Sequence, residues 1–262
     1  MNSIITAIVA FGAIGLAIGI ILSIAAKVFE VNTDPKIGEV LDNLPGANCG
    51  GCGFAGCSAC AEAIVKGEAS VNACPSIDES SLSRIASIMG TEAEKTRKLV
   101  ACVMCSGSND VTVKKYEFDG TKSCLEINAL NNGDKMCNFA CLGYGDCVEV
   151  CKFDAITLHN TLASVDKDKC ASCGMCVSVC PRNIIKLIPY DSKVYVRCSS
   201  EDKGAAMKAK CSVGCIGCGI CAKNCPEEAI MVIDNHAVIN QEKCVGCGIC
   251  VEKCPKKIIE TA

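Results

Sequence analysis

The sequence predicts an α+β protein with one membrane-spanning helix, a small cysteine-rich domain and tandem repeat units of short helices and hairpins. Three observations predict it. An uncharged apolar run opens the chain. A glycine-rich cluster of cysteines follows. Then a spacing, Cys-x2-Cys-x2-Cys-x3-Cys-Pro, recurs three times in the second half. Large aromatic cores are not available: the 262 residues include no Trp, four Tyr and six Phe. Small domains short of core need covalent or metal staples, and the 26 cysteines must supply them.

The apolar run is Ile4 to Ala26, 23 residues with only Thr6 and Ser23 polar. As a helix it spans roughly 34 Å, enough for the hydrocarbon layer of a bilayer. A secretion signal would carry a basic leading segment, yet no Lys or Arg precedes Lys27. Lys27 and Lys36 follow the span, so the positive-inside tendency puts the cysteine domains on the cytoplasmic side of a single-pass protein. Gly12, Gly15 and Gly19 form one small-residue face with a close-packing Gly-x3-Gly spacing; background glycine of a membrane helix reads equally well. The span holds no ionisable residue and so offers no ion pathway of its own.

After a charged connector (Glu30 to Glu39) comes NLPGANCGGCGFAGCSAC, with the spacing Cys49-x2-Cys52-x4-Cys57-x16-Cys74 and Pro75 behind it. Its glycines let the backbone wrap closely and aim N–H groups at sulfur. Cys60 is left over, a structural thiol. Gly51-x-Gly53-x-x-Gly56 matches the dinucleotide fingerprint, but no hydrophobic strand precedes it and cysteines fill the loop, so nucleotide binding is rejected. Ala61 to Lys66 reads as a short helix, Asp78 to Met89 as a helix closed by Gly90, and Thr91-x-x-Glu94 as a capping box opening another. Residues 101–136 read as a mixed connector with a strand-like VTVKKYEF.

The recurring spacing is the one that holds [4Fe–4S] clusters in bacterial ferredoxins. It appears at Cys170, Cys173, Cys176 and Cys180, at Cys215, Cys218, Cys221 and Cys225, and at Cys244, Cys247, Cys250 and Cys254, each followed by Pro. A first, irregular run, Cys137-x3-Cys141-x5-Cys147-x3-Cys151, ends on Lys152. Two-cluster ferredoxins lend the fourth cysteine of each run to the other cluster. One cluster then takes Cys137, Cys141, Cys147 and Cys180, and its neighbour takes Cys170, Cys173, Cys176 and Cys151. A second pair takes Cys215, Cys218 and Cys221 with Cys254, and Cys244, Cys247 and Cys250 with Cys225. With Cys49, Cys52, Cys57 and Cys74 this makes five clusters. Cys102-x2-Cys105 is the one close pair among the six cysteines left over, and Cys102 is given no role; Cys105, Cys124, Cys198 and Cys211 either converge on a sixth cluster or are buried free thiols. Hairpins are expected in MVIDNHAVI, turning at Asn235-His236, and in KLIPYDSKVYVRC, turning near Asp191-Ser192; Glu201 to Ala209 is a polar helical link. His159 and His236 read as exposed turn residues rather than ligands.

The rival readings are weaker. A secreted disulfide scaffold imposes no x2-x2-x3 spacing, and a structural zinc site needs only two Cys-x2-Cys pairs. The net charge of −3 carries no basic stripe, which excludes nucleic acid as a partner. The units divide as an anchor (1–28), an N-terminal 4Fe–4S domain (29–90), a connector (91–133), a first ferredoxin-like unit (134–198), a linker helix (199–212) and a second unit (213–262).

A membrane helix, the NLPGANCGGCGFAGC motif and four ferredoxin-type runs together resemble the B subunit of the Rnf complexes, in its long polyferredoxin form. The resemblance covers nearly the whole chain, and Lys152 in place of Pro departs from it. It implies that Cys49, Cys52, Cys57, Cys74 and the ferredoxin-type cysteines are cluster ligands. It also implies a bacterial cell-membrane electron relay from soluble ferredoxin to other membrane and flavoprotein subunits, with NAD reduced elsewhere and Na⁺ or H⁺ moved. This chain would hold no catalytic residue and bind no NAD directly. The alternative is a polyferredoxin adaptor of another membrane reductase or dehydrogenase without ion pumping; the N-terminal motif also resembles cluster sites of corrinoid methyl-transfer proteins.

Overall fold

The computed structural model describes residues 2–28, 34–93, 97–120 and 122–261. Helix α1 (Asn2–Val28) leads the chain. Its side chains are described for residues 11–25, nearly all exposed, including Phe11, Leu16 and Leu22. Among the described residues no helix is long and apolar enough to cross a membrane; the expected span, Ile4 to Ala26, runs past those described side chains at both ends.

Helices α2 (Pro35–Asp42), α3 (Cys57–Val65) and α4 (Glu79–Met89) build the N-terminal domain. Asp34 caps α2 by accepting the Lys36 N–H, and Pro35 supplies a preset first-turn φ. Asp78 caps α4 through the Ser81 N–H, and Gly90 ends it at φ +66°. The apolar faces meet in a core of Val40, Leu44, Cys60, Ala61, Ile64, Cys74 and Ile85. The expected capping box at Thr91 reaches residues outside those described.

Strand β1 (Leu99–Val103) follows, then α5 (Cys124–Ala129), α6 (Asp146–Glu149), the hairpin β2 (Ile156–His159) and β3 (Leu162–Val165), α7 (Met175–Val179) and β4 (Ile185–Pro189). A second unit repeats the order: β5 (Val194–Val196), α8 (Gly204–Lys210), α9 (Ile220–Lys223), the hairpin β6 (Ile230–Ile233) and β7 (His236–Ile239), α10 (Ile249–Lys253) and β8 (Ile259–Thr261). In each unit the opening strand pairs antiparallel with the closing one, Val103 opposite Ile185 and Val196 opposite Ile259, so the units run from β1 to β4 and from β5 to β8 and take in much of the expected connector (91–133) and linker (199–212).

Three expectations are corrected. The stretch KLIPYDSKVYVRC is not a hairpin: β4 pairs with β1 and β5 with β8, because each strand finds its apolar partner at the far end of its own unit. VTVKKYEF forms no strand; Thr112 and Lys114 make isolated bridges to Cys211 and Lys135. The β6–β7 turn lies at Asp234-Asn235, one residue earlier than expected. Both carry positive φ, +46° and +64°, as this tight turn demands, and His236 opens β7 opposite Ile233.

Candidate metal centres

Groups of four or five cysteines line cavities of similar size at four places, each with about 300–360 Å³ of atom-free space. The N-terminal one is lined by Cys49, Cys52, Cys57, Cys60 and Cys74. Its loop is shaped locally: Gly53 and Gly56 take φ +84° and +145°, and Asn48 Oδ1 accepts the Cys57 N–H at 2.8 Å where α3 begins. Burial, then the neighbouring thiols Cys52, Cys74 and Cys57, pushes Cys60 up to about 12.

In the second unit Cys215, Cys218, Cys221 and Cys254 line one cavity, so the last cysteine of one run lies with the first three of the other. Burial and then the neighbouring Cys244, Cys247 and Cys225 raise Cys250, so these thiols are near one another. The first unit repeats this: burial and then Cys170, Cys173 and Cys151 push Cys176 up to about 12.

The remaining groups depart from the spacing-based reading. Cys124, Cys141, Cys147 and Cys180 line one cavity, and Cys147 is pushed to about 12 by burial and then by Cys141, Cys124 and Cys180. Cys137 is not in it. Cys137 lines a separate cavity with Cys105, Cys198 and Cys211. Cys124 and Cys137 have exchanged places, and the internal repeat explains why. The units keep one register, Cys141 to Cys215, Cys147 to Cys221, Cys151 to Cys225 and Cys180 to Cys254. The position matching Cys218 is then Tyr144. Cys124 takes that role from a stretch that is longer in the first unit, where residues 105 to 137 stand opposite only 198 to 211. Asp146 seats it: its carboxylate accepts the N–H groups of Cys124 at 2.6 Å and Leu125 at 3.0 Å, and the Ser123 hydroxyl at 3.1 Å.

These groups fit iron–sulfur cubanes. Each is a set of thiols, the donors that hold such clusters; among the described residues no three or more His, Cys, Asp or Glu are grouped to hold a single ion. Backbone N–H groups point at sulfur, the bonds that tune cluster potential: Ala101 to Cys170 Sγ at 3.4 Å, Cys215 to Cys198 Sγ at 3.3 Å and Ala229 to Cys225 Sγ at 3.4 Å. Crowded, buried thiols resist ionising one beside another, a cost that iron would offset when bound. Cys102 lies in β1 away from these groups, pushed to about 12 by burial. His159 ends β2, its Nε2 3.1 Å from Thr157 Oγ1, and is exposed; His236 is placed in β7.

The N-terminal domain meets the first unit at a close backbone contact. A side chain on Gly51 would run into the Cys173 carbonyl, and Cys49 is among the thiols that raise Cys173 after burial does.

Comparison with known proteins agrees with this architecture. The FeS family model, described as an Fe–S cluster, matches residues 44–76. The 4Fe-4S binding domain matches 163–186 and the 4Fe-4S dicluster domain 214–258. The B subunit of a Na⁺-translocating ferredoxin:NAD⁺ oxidoreductase complex from Acetobacterium woodii is 46% identical over 93% of this chain and 73% of its own length. The B subunit of an ion-translocating oxidoreductase complex from Methanosarcina acetivorans is 43% identical over 91% of each chain. The B subunit of a proton-translocating ferredoxin:NAD⁺ oxidoreductase complex from Clostridium ljungdahlii is 42% identical over 92% of this chain and 86% of its own. With its 4Fe–4S domains and these relatives, the chain belongs to the family of Rnf B subunits, the iron–sulfur electron-transfer subunits of ion-translocating oxidoreductase complexes.

Proposed function

We propose that this chain is a membrane-anchored relay that accepts electrons from reduced soluble ferredoxin and hands them to partner membrane and flavoprotein subunits of an ion-translocating ferredoxin:NAD oxidoreductase. The observation that carries the reading is the succession of cysteine groups from the second unit, through the first, to the N-terminal domain that follows α1. Each bound cluster supplies one-electron storage; the protein supplies thiolates, burial and N–H bonds to sulfur. The ligand sets are Cys49, Cys52, Cys57 and Cys74; Cys170, Cys173, Cys176 and Cys151; Cys124, Cys141, Cys147 and Cys180; Cys215, Cys218, Cys221 and Cys254; and Cys244, Cys247, Cys250 and Cys225.

Ferredoxin docks on the second unit. Its ligands Cys218 and Cys247 are exposed, and the same unit exposes the apolar side chains Met231, Ile233 and Val245. Helix α1 is the anchor: of its described side chains all but Ser23 are apolar or glycine, and nearly all face outward, and Lys27 just past the span keeps the cysteine domains cytoplasmic.

The test uses anaerobically purified full chain in detergent with its partner subunits. Reduced ferredoxin should bleach the visible absorbance of the chain and then reduce the partner flavins. Cys49→Ala should leave the bleaching and stop flavin reduction. Flavin reduction at the unaltered rate in that variant would refute the proposed path.

A further inference from the structure

The cavity lined by Cys105, Cys137, Cys198 and Cys211 lies where the two units join. Cys105 and Cys198 form an isolated antiparallel bridge there. The four positions obey the internal repeat. Cys105 stands two residues beyond the end of β1 and Cys198 two beyond the end of β5. Cys137 precedes Cys141 by four residues, as Cys211 precedes Cys215. Each unit therefore contributes two thiols from matching places to one shared cavity.

The bonds around it are matched as well. The Cys141 N–H donates to Cys105 Sγ at 3.4 Å, and the Cys215 N–H, its counterpart, donates to Cys198 Sγ at 3.3 Å. The Gly107 N–H adds a second bond to Cys105 at 3.2 Å, and the Ser200 hydroxyl sits 3.9 Å from Cys137 Sγ. The atom-free space, about 300 Å³, is close to the 360 Å³ at the Cys215 group, which lies in a stretch matched by the dicluster family. Ser106 lines the cavity with a buried hydroxyl oxygen that has no hydrogen-bond partner.

A buried cation stands beside it. Lys135 is fully buried, its ammonium held by Gly107 O at 2.9 Å and by Thr161 O and Oγ1 at 3.3 Å. The negative groups facing it are the Cys141 and Cys105 thiols, if ionised, and Asp134. A buried ammonium is costly without compensating negative charge, and an anionic cluster on these thiolates provides it.

We propose that Cys105, Cys137, Cys198 and Cys211 hold a further [4Fe–4S] cluster that joins the two ferredoxin-like units into one conducting line. It rests on the proposed relay, for it bridges the Cys141 and Cys215 groups, which no exchanged cysteine connects.

Double variants test the set on full chain purified without oxygen, by iron and acid-labile sulfide per chain and by paramagnetic resonance of the reduced protein. Cys105→Ser and Cys137→Ser should each remove about four iron and four sulfide. Combined, they should remove no more than either alone. Cys137→Ser with Cys124→Ser should remove about eight iron. The opposite pattern, eight for the first pair and four for the second, would return Cys137 to the Cys141 group and overturn the proposal. So would unchanged iron in Cys105→Ser. Should a double variant fail to accumulate, Cys211→Ser alone decides: loss of one resonance with the rest retained supports the site, and an unaltered spectrum overturns it. Unaltered protein with zinc and no sulfide would fail the relay itself, a separate outcome.

Discussion

Gly51→Ala tests whether the N-terminal domain is docked against the first unit. A methyl group on Gly51 would lie 3.0 Å from the carbonyl carbon of Cys173 and 3.1 Å from its Cα, and nearer still to the carbonyl oxygen. Ordinary contact begins at 3.4 Å, so relieving the carbon contacts alone parts the two backbones by about 0.4 Å and the carbonyl oxygen demands more; neither side is a flexible side-chain end that could swing away. Overpacking of this kind costs about 1–3 kcal/mol, roughly a 5- to 150-fold rise in the open population. Hydrogen exchange on the cluster-loaded protein reads that factor directly. The amides of 49–57 and 170–176 should lose protection by it, and the spin coupling between the Cys49 and Cys170 groups should weaken. Gly38→Ala is the control, since a methyl there meets nothing within 4 Å. Equal protection in Gly51→Ala and the unaltered chain would refute the contact.

Lys135→Met should lower the potential of the neighbouring clusters, because a cation favours the more negative reduced state. A unit charge at about 8 Å and an effective dielectric of about 20 contributes ~2 kcal/mol, or ~90 mV for one electron; a redox titration with no shift would show that Lys135 faces no cluster. Cys124→Ala should remove about four iron, and adding Tyr144→Cys should restore them by rebuilding a regular run; no recovery in the double variant would contradict the repeat register. Removing the clusters by chelation and oxidation should unfold the second unit, where three of the nine buried core residues are the cysteines Cys215, Cys221 and Cys250; far-ultraviolet circular dichroism unchanged in the cluster-free chain would refute this.

Local signals in the sequence were informative where the cause is local. Asp78 and Gly90 bound α4 because one side chain caps the first turn and one glycine accepts φ +66°. The β6–β7 hairpin follows from two short apolar runs on either side of Asp234-Asn235, with the turn displaced by one residue. Pairing across a whole unit is not local, so β1 with β4 and β5 with β8 could not be read from either strand. The exchange of Cys124 and Cys137 was legible in part. Read backward from Cys151 against Cys225, the irregular run becomes regular with Tyr144 at one place. Counting forward from its first cysteine hides that, and nothing in the spacing points to Cys124, which reaches its group through Asp146. Lys135 gave no sequence signal, since only the folded chain reveals its burial.

The central claim is an unbroken line of cubanes carried by this one chain. A reductive titration of anaerobically purified full-length protein with reduced ferredoxin tests it most directly. The account predicts about 24 iron and 24 sulfide per chain and uptake of about six electrons, one for each cluster. Protein that is colourless, lacks acid-labile sulfide and takes up no electrons would contradict it.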